Sequence, residues 1–538
     1  MYILGINGGV RAGYQDVSAV LIKDGEVVYA IAEERLNRKK HSAGQLPFLS
    51  IKAALDFAHI SMKDIAYVAT HGSTWGEAYE KVVEEYLNYA FGYSPQVMRI
   101  HHHLAHAASA YYGSGYDEAM VLSIDASGDG ISLQKAIGRA GKIEVVEQEE
   151  RTNSLGIFYS IMTQFCGFTR DTDEYKLMGL APYGDASKID LSDVLNVEES
   201  QFTLNNAFIK EIKTGAPQGS RQQAAFSKRL VSLLGKPRIA IEPISQYYKD
   251  VAAAAQDRLS EAILVTIKQF YKQTGIRKVC LAGGVALNCE VNRHIQNLDF
   301  VDELFVQPAS GDDGISLGAA WYVSNQMGYK PKPTPNYYLG TAFSNDQIQK
   351  QLVLMNLTYQ KVDNVAEIAA NLVAENKVVA WFQGRDEFGP RSLGARSILA
   401  NPKAKEMKQT LNHKIKFREG FRPFCPSVLE EDFAKHFTGK QQQSPYMAIN
   451  YKVKEPALNP AISHVNETAR IQTVSKSDNP LCHEYLCQLK KKIGIGMSIN
   501  TSFNRNQEPM VHSPKDAVSA YYGSGIDALI IGNFLLEK

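Results

Sequence analysis

Residues 100–130 read IHHHLAHAASAYYGSGYDEAMVLSIDASGDG. Small and apolar residues at helical spacing predict a helix near 104–112, ended by Gly113, and AMVLSID predicts a buried strand after it. His102 and His106 stand four residues apart, so on a helix they share one face. Two imidazoles on one face can grip one metal ion. Asp125 ends the apolar strand. Asp312 holds a similar place in PASGDDGISLGAA, between an apolar segment and a helix. Two imidazoles with two carboxylates suit a borderline divalent ion such as Fe, Mn or Zn. A lone HxxxH pair reads more simply as surface histidines, with the aspartates as turn caps. The two glycine-flanked aspartates favour the metal.

Working outward, three glycine loops follow strands. They are residues 8–16 (GGVRAGYQD), 125–130 (DASGDG) and 283–288 (GGVALN). Glycines let backbone N–H groups approach phosphate, and a helix N-terminus favours an anion. Each loop alone reads as a turn. Three in this order, with the metal candidates interleaved, fit the pattern of actin-like ATPase folds. The opening reads strand, loop, strand, turn at Asp24-Gly25, strand. Long helices are expected near 76–91 and 245–273. Residues 185–240 are polar and poorly patterned.

The 538 residues include 44% hydrophobic and 21% charged, ordinary for a globular protein of two to four domains. The formal net charge of +1 provides no global field for nucleic acid or anionic lipid. Six cysteines (Cys166, Cys280, Cys289, Cys425, Cys482, Cys487) lack CxxC spacing and read as reduced thiols of a cytoplasmic protein. The N-terminus reads as a strand rather than a leader, and no apolar run is long enough for a membrane span. Pro331, Pro333 and Pro335 mark a linker, giving domains of 1–340 and 345–538. SAYYGSG occurs twice, from Ser109 and from Ser519, each time reading as a helix stop before a buried strand.

Cations gather in the second domain. Arg385, Arg391 and Arg396 lie in 384–402, Lys416, Arg418 and Arg422 in KIKFREGFRPF, and Arg470 in HVNETARIQTV. Asn500, Thr501, Ser502 and Asn504 follow an apolar strand. Arginine forks bind phosphate in two-point fashion, and hydroxyls and amides complete such a shell. A solvated basic face is the plain alternative. The arginines sit among Gly, Pro and Phe, which favours phosphate. Aromatic–basic interleaving could also stack bases, but the near-neutral chain favours a small phosphate.

With these motifs assembled, the chain resembles the O-carbamoyltransferases of antibiotic and nodulation-factor biosynthesis, the NodU/CmcH type. EERLNRKKHS, HHLAHAASAYY, SLGIFYS, YKLMGLAPYG, GGVALNCEVN, GDDGISLGAA, EFGPRSLGARSILANP, KFREGFRPF, HVNETARIQTV and NTSFN look like that family's signatures, in order. The resemblance implies an α/β (α+β) protein with a Kae1-like, actin-type (ASKHA) N-terminal domain and a YrdC-like C-terminal domain. It implies ATP, with Mg2+, and carbamoyl phosphate as substrates. The second domain would make carbamoyl adenylate, and the first would pass the carbamoyl group to a hydroxyl of a small natural product: a sugar, macrolide, alkaloid or cephem. It implies His102, His106, Asp125 and Asp312 as metal ligands, with iron expected. Gly283, Gly284 and Asn288 would form the adenosine loop, and Lys176 would reach the nucleotide phosphate. Lys416, Arg418, Arg422, Arg470, Ser502 and Asn504 would hold phosphates in the second domain, and Arg391, Arg396 and Asn500 join them on the reading of the residues alone. A homodimer is the default oligomer.

The chain departs from the family in its first loop. Relatives carry a histidine before the aspartate, as HDASA, where this chain has Gln15-Asp16-Val17-Ser18-Ala19. Glutamine is no base at neutral pH. The proton of the acceptor hydroxyl goes to Asp16, to another group or to the departing phosphate, and Gln15 orients the acceptor. Asn466 also stands where aspartate is expected. The alternative function is a tRNA threonylcarbamoyladenosine-type enzyme, which shares both fold types. It would need a tRNA-binding face that the net charge does not favour. Acceptor contacts are expected in 185–240, since loops carry specificity.

Overall fold

The computed structural model describes residues 1–9, 16–210 and 224–538. Gln15 and most of the first glycine loop lie outside the described residues, as does 211–223 of the polar stretch. The chain forms two compact units, Met1–Val28 with His41–Thr334 and Tyr29–Lys40 with Pro335–Lys538.

The first unit repeats one topology. β1 (Tyr2–Asn7), β2 (Ser18–Lys23), β3 (Glu26–Ala32), β4 (Ile65–His71) and β5 (Gln96–Ile100) lie in the order β3-β2-β1-β4-β5. β1 is antiparallel to β2 and parallel to β4, and β4 is parallel to β5. A second sheet holds β6 (Glu118–Gly128), β7 (Ile131–Arg139) and β8 (Lys142–Glu150). After a small pair, β9 (Leu195–Val197) and β10 (Phe202–Leu204), it is completed by β11 (Lys278–Ala282) and β12 (Glu303–Val306), in the order β12-β11-β6-β7-β8. Here too the first strand has an antiparallel neighbour on one side and two parallel strands on the other. Parallel neighbours need helical crossovers. Phe48–Ala58, Glu77–Phe91, Gln246–Thr274 and Cys289–Gln296 supply them.

Two further helices, His102–Ser114 and Ile315–Gln326, pack on each other, the first against β6 and the second against β1. Glycine makes the approach close enough. A Cβ on Gly5 in β1 would overlap the Ser316 carbonyl, and one on Gly318 would overlap the Ala105 carbonyl. The histidine helix begins at His102, earlier than the sequence spacing predicts, and runs past Gly113 to Ser114, with Gly115 in the left-handed conformation as its cap. Both candidate imidazoles therefore lie inside the helix, in its first two turns.

In the second unit β13 (Gln360–Lys361), β14 (Val379–Phe382), β15 (Arg396–Ala400), β16 (Cys425–Leu429), β20 (Gln472–Val474), β21 (Met497–Ser502), β22 (Ala528–Ile531) and β23 (Phe534–Glu537) form a mixed sheet. Its order is β13-β23-β22-β14-β15-β21-β16-β20. β17 (Phe437–Thr438), β18 (Asn450–Val453) and β19 (Thr468–Arg470) form a smaller one. Helices Val365–Ala374 and Pro480–Ile493 cover the larger sheet through Ala369, Val373, Tyr485 and Leu489, which meet Trp381 and Leu399. Asn364 and Asn479 cap these helices, accepting from Glu367 N–H and Cys482 N–H.

The excursion of Tyr29–Lys40 into this unit is not legible in the sequence. Ala30 N–H donates to Leu339 O at 3.0 Å. Arg35 donates to Gly389 O at 2.7 Å, and Arg38 donates to the carbonyls of Pro509 and Met510. The EERLNRKK segment is thus a strap of the second unit.

Because Gly318 meets backbone rather than a flexible side chain, Gly318→Ala must push the two helices apart. We expect the loss of about 1–3 kcal/mol typical of an overpacked core. Calorimetry should show a lower melting transition for the first unit and an unchanged one for the second.

Candidate active site

The first site grows from the helix that follows β5. Its N-terminus is fixed by Asp129, whose carboxylate accepts from His102 N–H at 2.8 Å and from Thr74 Oγ1 at 2.6 Å. Negative charge at a helix start is favourable. Pairing of β6 with β7 breaks between Ile124 and Gly128, so Asp125 leaves the ladder and turns inward. Gly128 and Gly284 make room: a Cβ on Gly128 would overlap the His102 ring, and one on Gly284 would stand 3.2 Å from Asp125 Oδ1. Asp312 opens the turn before Ile315–Gln326.

These elements bring four predicted side chains together. His106 Nε2 lies 3.2 Å from Asp125 Oδ2 and 3.4 Å from Asp312 Oδ1. His102 Nε2 lies 3.7 Å from each of the same two oxygens. All four donor atoms fall within 4.8 Å of one another. His106 is fully buried, and neither its Nε2 nor that of His102 has a hydrogen-bond partner among the described residues. Burial works to lower the His106 pKa, but the carboxylates of Asp125 and Asp312 outweigh it and hold it up at about 9. Burial also works against ionised Asp125, yet the two imidazoles keep it well below the usual carboxylate range. Two buried imidazole nitrogens facing two carboxylates, with room between, fit a divalent ion.

His71 and His103 frame the cluster without joining it. Burial first, and then His102, pushes the pKa of His71 down to about 4. His103 hydrogen-bonds Ser123 Oγ at 2.7 Å and Ile131 O at 3.2 Å. Asp129 and Gly128 carry weight that sequence reading did not assign them. Both stand in the DASGDG loop, and the helix start at His102 is the signal that could have exposed Asp129.

Two residues read as nucleotide contacts have internal partners. Asn288 caps Cys289–Gln296 by accepting from Val291 N–H and exchanges amide hydrogen bonds with Gln256 at 2.9 and 3.2 Å. Lys176 pairs with Asp173 at 3.1 Å. Gly283 holds φ 89°, and a Cβ there would overlap the Ile124 backbone, so it is needed for the turn itself.

The second site lies at the end of β21. Lys416 ends a π-helical turn, Leu411–Lys416, and Phe417 reverses the chain at φ 44°. The Lys416 ammonium is buried and donates to Asn504 Oδ1 at 2.7 Å, to Ser502 Oγ at 3.3 Å and to the Ser502 carbonyl. Its partners are neutral. Burial pushes its pKa well below the usual lysine range, and Arg418 and Arg422 push the same way. Arg418 is fixed by Asn412 Oδ1 at 2.8 Å and lies 4.3 Å over Phe424. Arg470 donates to Cys425 Sγ at 3.1 Å. Cys425 pairs with Asn500 across the β16–β21 ladder.

Arg396 and Asn500 are corrections to the phosphate reading. Arg396 is fully buried, ion-paired with Asp386 at 2.5 Å, 3.8 Å over Phe382, and donates to the carbonyls of Gln383, Thr341 and Gly384. Asn500 is held by Ser392, Ser427 and Gln472. Both serve the core of the sheet. Arg391 is half-buried in the loop before β15. That loop is organised by buried Glu387, whose Oε1 accepts from the N–H groups of Leu393, Ala395 and Arg396 at 2.8–3.0 Å. A further trio, Glu431, His483 and Cys487, uses the two ring nitrogens of His483 on different partners, which makes a hydrogen-bond chain rather than a cradle.

Residues 72–321 match the Carbamoyltransferase N-terminus family and residues 370–538 the Carbamoyltransferase C-terminus family. The chain is 35% identical to the uncharacterized protein sll1178 of Synechocystis, over 98% of this chain and 96% of that one. It is 34% identical to nodulation protein NolNO of Sinorhizobium fredii, over 100% and 83%. It is 30% identical to the 3'-hydroxymethylcephem-O-carbamoyltransferase of Amycolatopsis lactamdurans, over 69% and 66%. The chain belongs to the carbamoyltransferase family. Among the described residues of this carbamoyltransferase no helix is long and apolar enough to cross a membrane.

A buried ammonium flanked by cations and held only by neutral oxygens should accept an anion readily. Pyrophosphate is therefore expected to raise the melting temperature of the parent protein, as any ligand selective for the folded state does. Lys416→Met should lose that upward shift when the two are compared by differential scanning fluorimetry.

Proposed function

We propose that this carbamoyltransferase uses ATP and works in two half-reactions, one in each unit. The observation that carries the reading is Lys416, buried on Ser502 and Asn504 and coupled to Arg418 and Arg422, a set suited to polyphosphate. In the second unit, water cleaves carbamoyl phosphate to carbamate and inorganic phosphate. A carbamate oxygen then attacks the α-phosphorus of ATP, expelling pyrophosphate and leaving carbamoyl adenylate. Lys416, Arg418, Arg422 and Arg470 would hold the phosphates and spread the charge that develops on the leaving pyrophosphate. Adenylation converts carbamate, which has no good leaving group on its carbonyl carbon, into a mixed anhydride with AMP as leaving group. The cation cluster at the end of β21 supports a YrdC-like role for this unit.

In the first unit the carbamoyl group passes to a hydroxyl of a small natural product. The duplicated sheet topology supports an actin-type, Kae1-like reading of this unit. The name of the cephem relative, an O-carbamoyltransferase, supports oxygen as the accepting atom. His102, His106, Asp125 and Asp312 would hold a divalent ion, iron among the candidates. Bound there, the ion would supply positive charge for a carbonyl or phosphate oxygen. Gly283 and Gly284, at the turn beside Asp125, would offer backbone N–H groups to the nucleotide.

The test is pyrophosphate release from the purified protein given ATP and carbamoyl phosphate. Release that requires both supports the adenylating half, and its absence under all acceptor conditions would sink it. Arg422→Ala should slow release by about 10²–10³-fold, the usual loss for one preorganised charge-stabilising donor. His106→Ala should leave pyrophosphate release intact while lowering bound metal from one ion per chain toward none, read by elemental analysis after loading with Fe(II) or Zn(II).

A further inference from the structure

The first loop lacks the histidine that relatives carry, since glutamine occupies position 15. The structure places an imidazole at the neighbouring aspartate from another part of the chain. His41 Nδ1 lies 2.7 Å from Asp16 Oδ1. The backbone adds a second tie, Asp16 N–H donating to His41 O at 2.8 Å. Gly9 N–H donates to Gln45 O at 3.1 Å, so the segment that begins at His41 binds the described residues at both ends of the first loop. Asn7 Nδ2 donates to Asp16 O at 3.0 Å, which anchors Asp16 to the end of β1.

The pairing carries backbone strain. Asp16 (φ 58°), His41 (φ 63°) and Ser42 (φ 44°) all hold left-handed conformations without being glycine. Each such residue costs about 1 kcal/mol or more, and such strain concentrates at functional sites. The dyad also lies beside the metal-candidate loop. A Cβ on Gly311, the residue before Asp312, would stand 4.0 Å from Asp16 Oδ2. The next strand is tied to the same loop, Ser18 Oγ donating to Asp313 O at 2.8 Å. Asp16 and His41 are 32% and 23% exposed, and His41 Nε2 itself is turned inward, away from solvent.

We propose that His41, oriented by Asp16, is the base that takes the proton from the acceptor hydroxyl; this rests on the carbamoyl-transfer reading above. A carboxylate accepting Nδ1–H fixes the tautomer whose lone pair is on Nε2, the arrangement a general base needs. The acceptor O–H bond breaks as its oxygen attacks the carbamoyl carbon. The proton goes to Nε2, the bond from that carbon to the AMP phosphate oxygen breaks, and AMP leaves with the electron pair. The proton then passes from His41 to solvent or to AMP. Asp16 is a positioning residue in this scheme.

The left-handed backbone at His41 makes His41→Gly a clean test, since glycine adopts φ 63° freely and the imidazole alone is removed. Two readouts separate the halves: carbamoyl-phosphate-dependent exchange of labelled pyrophosphate into ATP, and AMP release with water as the hydroxyl acceptor. In His41→Gly the exchange should persist while AMP release falls by about 10²–10⁴-fold. Imidazole added to the buffer should restore it. Hydroxylamine, which attacks as a neutral amine, should release AMP from parent and variant alike. Unchanged AMP release from water in the variant, none from the parent, or a loss that spares no nucleophile and is not restored by imidazole would each overturn the role of His41. A parent with no exchange would instead overturn the reading of the second unit on which the proposal stands.

Discussion

The first site depends on the contact between Gly318 and the carbonyl of Ala105. Two helices meet there with no side chain between them, and three of the four donor residues, His102, His106 and Asp312, lie at or near their N-terminal ends. His106 follows Ala105 directly, and Asp312 precedes the helix that carries Gly318. Widening that contact by the width of a methyl group would move one histidine relative to one aspartate. Since the donor atoms lie within 4.8 Å of one another, such a shift is a large fraction of the site. Gly5, at the same helix, and Gly128, at the His102 ring, impose the same requirement from the two sheets. The glycines of this unit thus act less as flexible joints than as absences of volume, placed where backbone must approach backbone or ring.

What the sequence revealed follows from what periodicity and punctuation encode. His102 and His106 were legible because i and i+4 share a helix face whatever the tertiary structure. Asp125 was legible because the apolar run of β6 breaks at it, and Asp312 because it stands in a glycine-flanked turn before an apolar helix. Burial is not encoded that way. Arg396 stands in an Arg- and Gly-rich loop that looks solvent-facing, yet its guanidinium is enclosed by Asp386, Phe382 and three carbonyls. Asn500 and Asn288 look like ligand amides and instead complete internal networks, since every buried amide must find partners. Lys416, Ser502 and Asn504 were read together and do lie together. The strap formed by Tyr29–Lys40 had no local signal at all, because membership of a unit is a long-range property.

The repeated SAYYGSG shows how a local reason can outlast a tertiary difference. In the first copy Tyr111 hydroxyl donates to Asp117 O at 3.0 Å and Ser114 Oγ to Tyr111 O at 2.7 Å. In the second, Tyr521 hydroxyl donates to Asp527 O at 3.3 Å and Ser524 Oγ to Tyr521 O at 3.1 Å. Each tyrosine reaches over the helix end to the start of the following strand. The caps differ: Gly115 is left-handed, whereas Gly523, at φ −81°, is not. The shared sequence therefore specifies the tyrosine latch, and the exact helix end is set by what packs around it.

The near-neutral composition conceals two local imbalances of opposite sign. In the first unit, two carboxylates converge on imidazoles, and the raised pKa of His106 records how strongly that place calls for positive charge. In the second, a buried lysine is surrounded by neutral acceptors and further cations, and its lowered pKa records the reverse demand. Such groups are costly to bury without compensation. A fold can carry them when a ligand of the opposite charge completes each site, a cation in one and phosphate in the other under the proposed function. A net charge of +1 therefore provides no strong long-range field, and it leaves intact the short-range fields that chemistry on an acyl phosphate would use under the proposed function.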